Sequence, residues 1–305
     1  MTSKERFINT LTFKEVDRIP VMEIAAWVQT VERWHGEGLS KKVNPQKLFG
    51  GNEYFQLEGV EGPHIDCTTP YPPYDKEILA ENDRNIKFID EMGRTRQALK
   101  TGELNGSRLS MDQYIDFPVK DFPSYREYRK RFEGNYDARY PANWEEVKKY
   151  AAATDRPYRL TAPHSSTFGF YSMLRNWMGT ERLAYMLYDN PELINECLDF
   201  LTDFIIHLLK GAVRDIKFDF CYIHEDMCFK NGPLISPHMF KEFFAPRYKK
   251  YTQFLRDNGV NLIIVDTDGN FEDLIPLFLE CGVDGFGPIE IASGLDPMKI
   301  RQRYG

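Results

Sequence analysis

Apolar and polar positions recur along this chain with two different periods, and the change of period divides it. In "SKERFINTL", residues 3–11, Phe7, Ile8 and Leu11 fall on one face at helical spacing, with Ser3 as the capping residue. Asp17 and Pro20 interrupt that helix, and "IPVMEIAAW", residues 19–27, reads as a strand. Residues 60–120 hold a rigid Pro/Tyr loop, "TTPYPPY", then short strand-like runs broken by turn residues, which predicts an antiparallel hairpin inserted into the first part of the fold. From residue 144 onward, strand candidates alternate with helices: "YRLTA", "FDFCYIHEDM", "NLIIVDTDG" and "GFGPIEI". Polar caps or prolines that start helices follow them at Thr180, Asn190-Pro191, Ser236-Pro237, Asn270 and Asp296-Pro297, and Gly259 and Gly282 sit where helices end.

Strands about 25 to 60 residues apart, with no G-x-G-x-x-G behind any of them, favour an α/β fold of the (β/α)8 TIM-barrel type over a dinucleotide-binding sheet. The expected organisation is one barrel domain over residues 1–305, with the hairpin insertion at about 60–120.

Composition narrows the picture. Hydrophobic residues make up 42% of the 305, enough for a large core, so disorder is excluded as the main state. A formal net charge of −7 without a dense basic block argues against nucleic acid as a partner. The N-terminal stretch has no leader pattern and no run of about 18 apolar residues occurs, so a soluble, cytoplasmic protein without membrane contact is expected. The five cysteines are scattered without a C-x-x-C pair, which fits packed, reduced thiols.

The candidate chemistry lies at the strand ends, where barrels place their sites. One strand ends in His224, Glu225 and Asp226, the next in Asp266 and Asp268, and the last in Glu290; "RLTAP" runs into His164, Ser165 and Ser166. Alternation puts His224 with Asp226 on one face and Asp266 with Asp268 on one face, so carboxylates from several strands would crowd together, raising carboxyl pKa values or calling for a cation. Plainer readings stand beside this. Asp268-Gly269-Asn270 also reads as a turn and helix cap, Glu290 as a loop cap, Glu225 as an outward-facing ion-pair residue and His224 as a core histidine. His164 beside two serines lacks the G-x-S-x-G setting of a nucleophile.

The stretches "SKERFINTLTFKEVDRIPVM", "EDMCFKNGPLISPHMFKEFFAPRYKKY" and "DNGVNLIIVDTDGNFEDLIPLFLECGVDGFGPIEIASGLDPMKIRQRYG" resemble the uroporphyrinogen decarboxylase superfamily, which also holds the methylcobalamin:coenzyme M methyltransferases and related corrinoid-dependent demethylases. The resemblance spans nearly the whole chain, is strongest over 215–305, and implies a (β/α)8 barrel with a cleft at the C-terminal strand ends. Two motifs of its relatives are missing. The decarboxylases carry an arginine-rich "RQAGR" after the first strand, where this chain reads "MEIAAWVQTVERW"; the coenzyme M methyltransferases hold zinc through His-x-Cys, where this chain has Asp266 and Asp268. Relatives also continue with further βα units beyond "RYG", so the last units are expected to be missing here.

Together these features point to a corrinoid-linked methyltransferase acting on a small methylated substrate. The alternatives are a decarboxylase of the uroporphyrinogen type, drawing its cations from Arg94, Arg96 and Arg175, and a non-catalytic small-molecule binding barrel. His224, Asp226, Asp266, Asp268 and Glu290 are the candidate catalytic residues. His164, Trp27, Glu225, Tyr71 and Tyr74 are the candidate substrate contacts, the aromatics as a cation–π cradle or as loop packing. A divalent metal ion, if used, would come to His224, Asp226, Asp266 and Glu290. No D-x-H-x-x-G is present, so methylcobalamin is expected on a partner corrinoid protein. A homodimer is the remaining partner expectation.

Overall fold

In a computed structural model, residues 1–47, 49–104, 107–108, 111–160 and 168–305 are described. The first helix, α1 (Ser3–Leu11), starts from Thr2 rather than Ser3: the Thr2 hydroxyl accepts the Glu5 N–H at 3.1 Å, and the Glu5 carboxylate accepts the Thr2 N–H at 2.8 Å. "IPVMEIAAW" forms no strand. Pro20 lacks an N–H, and only isolated bonds such as Glu58 N–H to Val21 O hold this stretch.

The expected hairpin is instead a four-stranded antiparallel sheet, in the order β1 (Glu77–Glu81), β2 (Asn85–Ile89), β3 (Thr95–Leu99) and β4 (Gln113–Asp116). Each tight turn has a local carboxamide or carboxylate acceptor: Asn82 takes the Arg84 and Asn85 N–H groups, and Asp90 takes those of Met92 and Arg94. The Arg94 guanidinium then reaches Asn176 at 2.8 Å and ties the sheet to α2 (Phe170–Met178).

Past α2 come α3 (Thr180–Asp189) and the 25-residue α4 (Pro191–Asp215), capped by Asn190 as the sequence suggests. Then follow β5 (Cys221–His224), α5 (Ala245–Asp257), β6 (Ile263–Asp266), β7 (Gly285–Gly287) and α6 (Pro297–Tyr304), capped by Asp296. The three strands are parallel in the order β7-β6-β5, and parallel bridges Arg159 to Phe220 and Glu61 to Tyr158 carry the succession two segments further. The class is mixed α/β. Among the described residues the sheets are small and do not close into a barrel; the three parallel strands β5, β6 and β7 are only three or four residues long, and Pro288 has no N–H with which to extend β7.

Alternation along the parallel strands separates two environments. Cys221, Ile223, Ile263 and Val265 are buried against the helical layer, in one core with Trp177, Phe240, Tyr248 and Phe278. Phe220, Tyr222 and Ile264 face the other side, where the ring of Phe7 of α1 packs at a tilt against Phe220, centroids 4.9 Å apart. All five cysteines are buried, and none forms a disulfide among the described residues. Among the described residues no helix is long and apolar enough to cross a membrane.

Candidate active site

His224 ends β5 on the same side as Tyr222, and the register sets it directly beside Asp266, the last residue of β6. The result is a hydrogen bond between His224 Nδ1 and Asp266 Oδ2 at 3.1 Å. Asp226 approaches the opposite edge of the ring, with its Oδ1 3.7 Å from His224 Nε2. That is longer than a hydrogen bond, so an Nε2 proton remains available to a third group. Burial alone would push the imidazole pKa down; the bond to Asp266 and the charges of Asp226, Asp266 and Glu225 outweigh it, and the net shift is upward from 6.5.

Asp226 is itself held from α2. Its N–H donates to the Ser172 hydroxyl at 2.8 Å, and Arg175 pairs with its carboxylate and reaches its carbonyl at 3.2 Å. On the other flank, the Arg159 guanidinium lies 5.0 Å from the ring centre of Tyr222 and within the field of Asp266. Charges of alternating sign therefore run from Arg159 through Asp266, His224 and Asp226 to Arg175.

Asp268 and Glu290 sit at the rim. Partial burial, then the charges of Asp266, Glu290 and Asp226, push the Asp268 acid up against the opposing pull of His224. Asp268 is exposed, and among the described residues its carboxylate makes no hydrogen bond. Glu290 behaves as the loop cap: its Oε2 accepts the Gly269 N–H at 2.8 Å and the Ser293 hydroxyl at 2.9 Å. Gly269 has φ +83°, and a Cβ there would stand 2.7 Å from the Phe229 carbonyl oxygen, which is why a glycine follows the two aspartates.

Glu225 corrects the sequence reading of an outward-facing, ion-paired residue or substrate contact. It is fully buried on the helical side of β5, because alternation turns it away from His224. Its carboxylate accepts the Tyr171 N–H at 3.0 Å and the Ser172 N–H at 2.8 Å in the first turn of α2, and the Tyr248 hydroxyl from α5.

The aromatic candidates do not assemble. Trp27, 67% exposed, lines a cavity of about 450 Å³ with Glu23, Trp34, Lys47 and Phe55, and none of His224, Asp226, Asp266, Asp268 and Glu290 lines it. Tyr74 packs on Tyr128 and under Arg131, and the Tyr71 N–H is bonded to the Arg131 carbonyl, so both belong to the packing of the Pro/Tyr loop. His164, with Ser165 and Ser166, lies outside the described residues. Arg94 and Arg96 are committed to Asp90 and Asp112. Arg175 reaches the strand ends, and no local motif in "FYSMLRNWM" marks it. Tyr222 could have been found by stepping back two residues from His224.

The donor set does not fit a divalent ion. Zinc or a harder cation needs lone pairs converging on one point, whereas His224 Nδ1 is engaged by Asp266, Asp226 by Arg175 and Glu290 by Gly269 and Ser293. Among the described residues, no three His, Cys, Asp or Glu side chains are placed to hold a metal ion.

A family model described as Uroporphyrinogen decarboxylase (URO-D) matches residues 119–296, more than half of the chain and the whole span from α2 to Glu290. Among solved structures, the chain is similar to a methyltransferase from Methanosarcina mazei at 15% identity and a TM-score of 0.52, over 94% of this chain and 75% of that one. At that identity the likeness speaks to the fold. No curated protein matches the sequence.

Proposed function

The chain belongs to the uroporphyrinogen decarboxylase family, and on that premise we propose that it is a methyltransferase that takes a methyl group from a small methylated ether or amine, with His224 as the general acid. The family's fold leads us to read the parallel segments as the wall of a (β/α)8 barrel whose mouth is formed by the ends of β5, β6 and β7.

The observation that carries the reading is the imidazole held through Nδ1 by Asp266, with Nε2 only loosely approached by Asp226. The upward shift of its pKa favours the protonated ring, and the Asp266 bond fixes its orientation. As the carbon–heteroatom bond of the donor breaks, the Nε2 proton passes to the departing oxygen or nitrogen, so the product leaves as a neutral alcohol or amine. Asp266 and Asp226 hold the ring charged beforehand, and Arg175 keeps Asp226 from collapsing onto Nε2. A corrinoid carried by a partner protein would supply the nucleophile that receives the methyl group. The test is a methylation assay with reduced cobalamin and a panel of methyl ethers and methylamines. A donor-dependent spectral change that is lost in His224→Gln supports the reading, and no change with any donor contradicts it.

Decarboxylation is the second reading. It is favoured by Arg175, whose side chain is partly exposed beside Asp226 and could hold a substrate carboxylate while His224 protonates carbon. Release of carbon dioxide from an acid substrate without methyl transfer would select it.

A further inference from the structure

Nothing in that proton transfer uses Glu225, the fully buried carboxylate next to His224 in sequence. Burying a charge is costly, and a neutral, well-packed replacement is often tolerated without loss of stability. Folding alone therefore gives little reason for a carboxylate here, and its contacts suggest another. One oxygen accepts the Tyr171 N–H at 3.0 Å, the other the Ser172 N–H at 2.8 Å, and the Tyr248 hydroxyl closes the set from α5. Glu225 also donates its own N–H to the Asp266 carbonyl at 2.6 Å, so it links β5, β6, α2 and α5 at one point.

The residues it grips are the ones that hold the site. Ser172, whose N–H binds Glu225, takes the Asp226 N–H on its hydroxyl, and Arg175, one turn on, pairs with the Asp226 carboxylate. Gly169 lets α2 come this close: a Cβ there would fall 2.0 Å from the His224 carbonyl oxygen and 2.6 Å from Glu225 Cδ. We propose that Glu225 is the positioning residue of the site, locking the first turn of α2 onto the end of β5 so that Ser172 and Arg175 set Asp226 against His224 Nε2. The proposal rests on His224 being the proton donor.

The test uses the full chain, with ring-15N NMR of histidine-labelled protein and the His224 signal identified from His224→Gln. Glu225→Gln removes the carboxyl group; Tyr248→Phe keeps it and loosens its seat. The charged groups around the ring are Asp266 from β6 with Arg159 on its flank, Asp268 beyond it, Asp226 at the end of β5 and Arg175 from α2, while Glu225 lies behind the strand on the helical side. All but Glu225 are left intact. Both variants are expected to shift the His224 Nε2 resonance and lower the pH at which the ring titrates, more in Glu225→Gln. Where turnover is measurable, kcat falls about 10-fold with KM nearly unchanged, the mark of a contact that matters only in the transition state. A folded Tyr248→Phe and Glu225→Gln that both keep the parent's His224 resonances and titration would overturn the proposal. The NMR comparison stands whether or not a methyl donor is found, so its failure is distinct from failure of the methyl-transfer reading. If Glu225→Gln does not fold, Tyr248→Phe decides alone.

Discussion

His224 and Asp266 are register partners on adjacent parallel strands, and their side chains meet at 3.1 Å through Nδ1 and Oδ2. Because both residues are the last of their strands, the pair is fixed by the backbone ladder rather than by a flexible loop. Asp266→Asn keeps the shape but removes the charge that holds the ring protonated. It is expected to lower kcat by about 100-fold, within the range ordinary for general acid catalysis, with KM changed little; steady-state kinetics on the methyl donor checks this.

The raised pKa of His224 gives stability a direction with pH. A histidine whose folded-state pKa lies above its unfolded value of 6.5 contributes stability that is fully present below 6.5 and is lost as pH rises through the folded value. Melting temperatures of the parent, compared with His224→Gln across neutral and mildly alkaline pH, should therefore converge as pH rises. A difference that widens in that direction would contradict the assignment.

Asp268 moves stability in the same direction with pH, but as a penalty carried by its charged form. Its acid is pushed up, so the charged form is disfavoured in the folded state, and neutralising it should help near neutral pH. Asp268→Asn is expected to raise the melting temperature slightly at about pH 7 and to make little difference at about pH 3, where the Asp268 carboxyl is largely protonated in the folded and unfolded chain alike. Because the group is exposed, solvent screening keeps the effect small.

Gly269 carries a larger penalty. Its φ of +83° and its approach to Phe229 leave no room for a methyl group. Gly269→Ala should cost about 1–3 kcal/mol, seen as a lower denaturant midpoint. It should also release Glu290, whose carboxylate is anchored on the Gly269 N–H.

The engagement of the candidate ligands by one another predicts indifference to metal. Dialysis against a chelator, or addition of zinc, is expected to leave the melting temperature unchanged. A stabilisation that saturates at one ion per chain would show that the donors can reorganise.

Part of this was legible in the sequence. The two-residue period of "FCYIHED" and "LIIVDTD" places His224 and Asp266 on strand ends, and Asn190, Ser236 and Asp296 cap helices as their chemistry suggests. The same period, followed one residue further, turns Glu225 inward to the helices, where the N–H groups of α2 offer it partners that no local pattern advertises. Arg175 reaches Asp226 across 51 residues, a pairing set by packing of α2 on β5 and invisible to spacing. The aromatics failed as a cradle because Trp27, Tyr71 and Tyr74 share a residue type but not a place.

The most direct measurement is the NMR titration of the His224 ring in the parent and in Asp266→Asn. An imidazole that titrates above 6.5 in the parent and moves down when the aspartate is neutralised is the predicted result. A ring that titrates at or below that value, and does not respond to the substitution, would contradict a proton donor held at the strand ends.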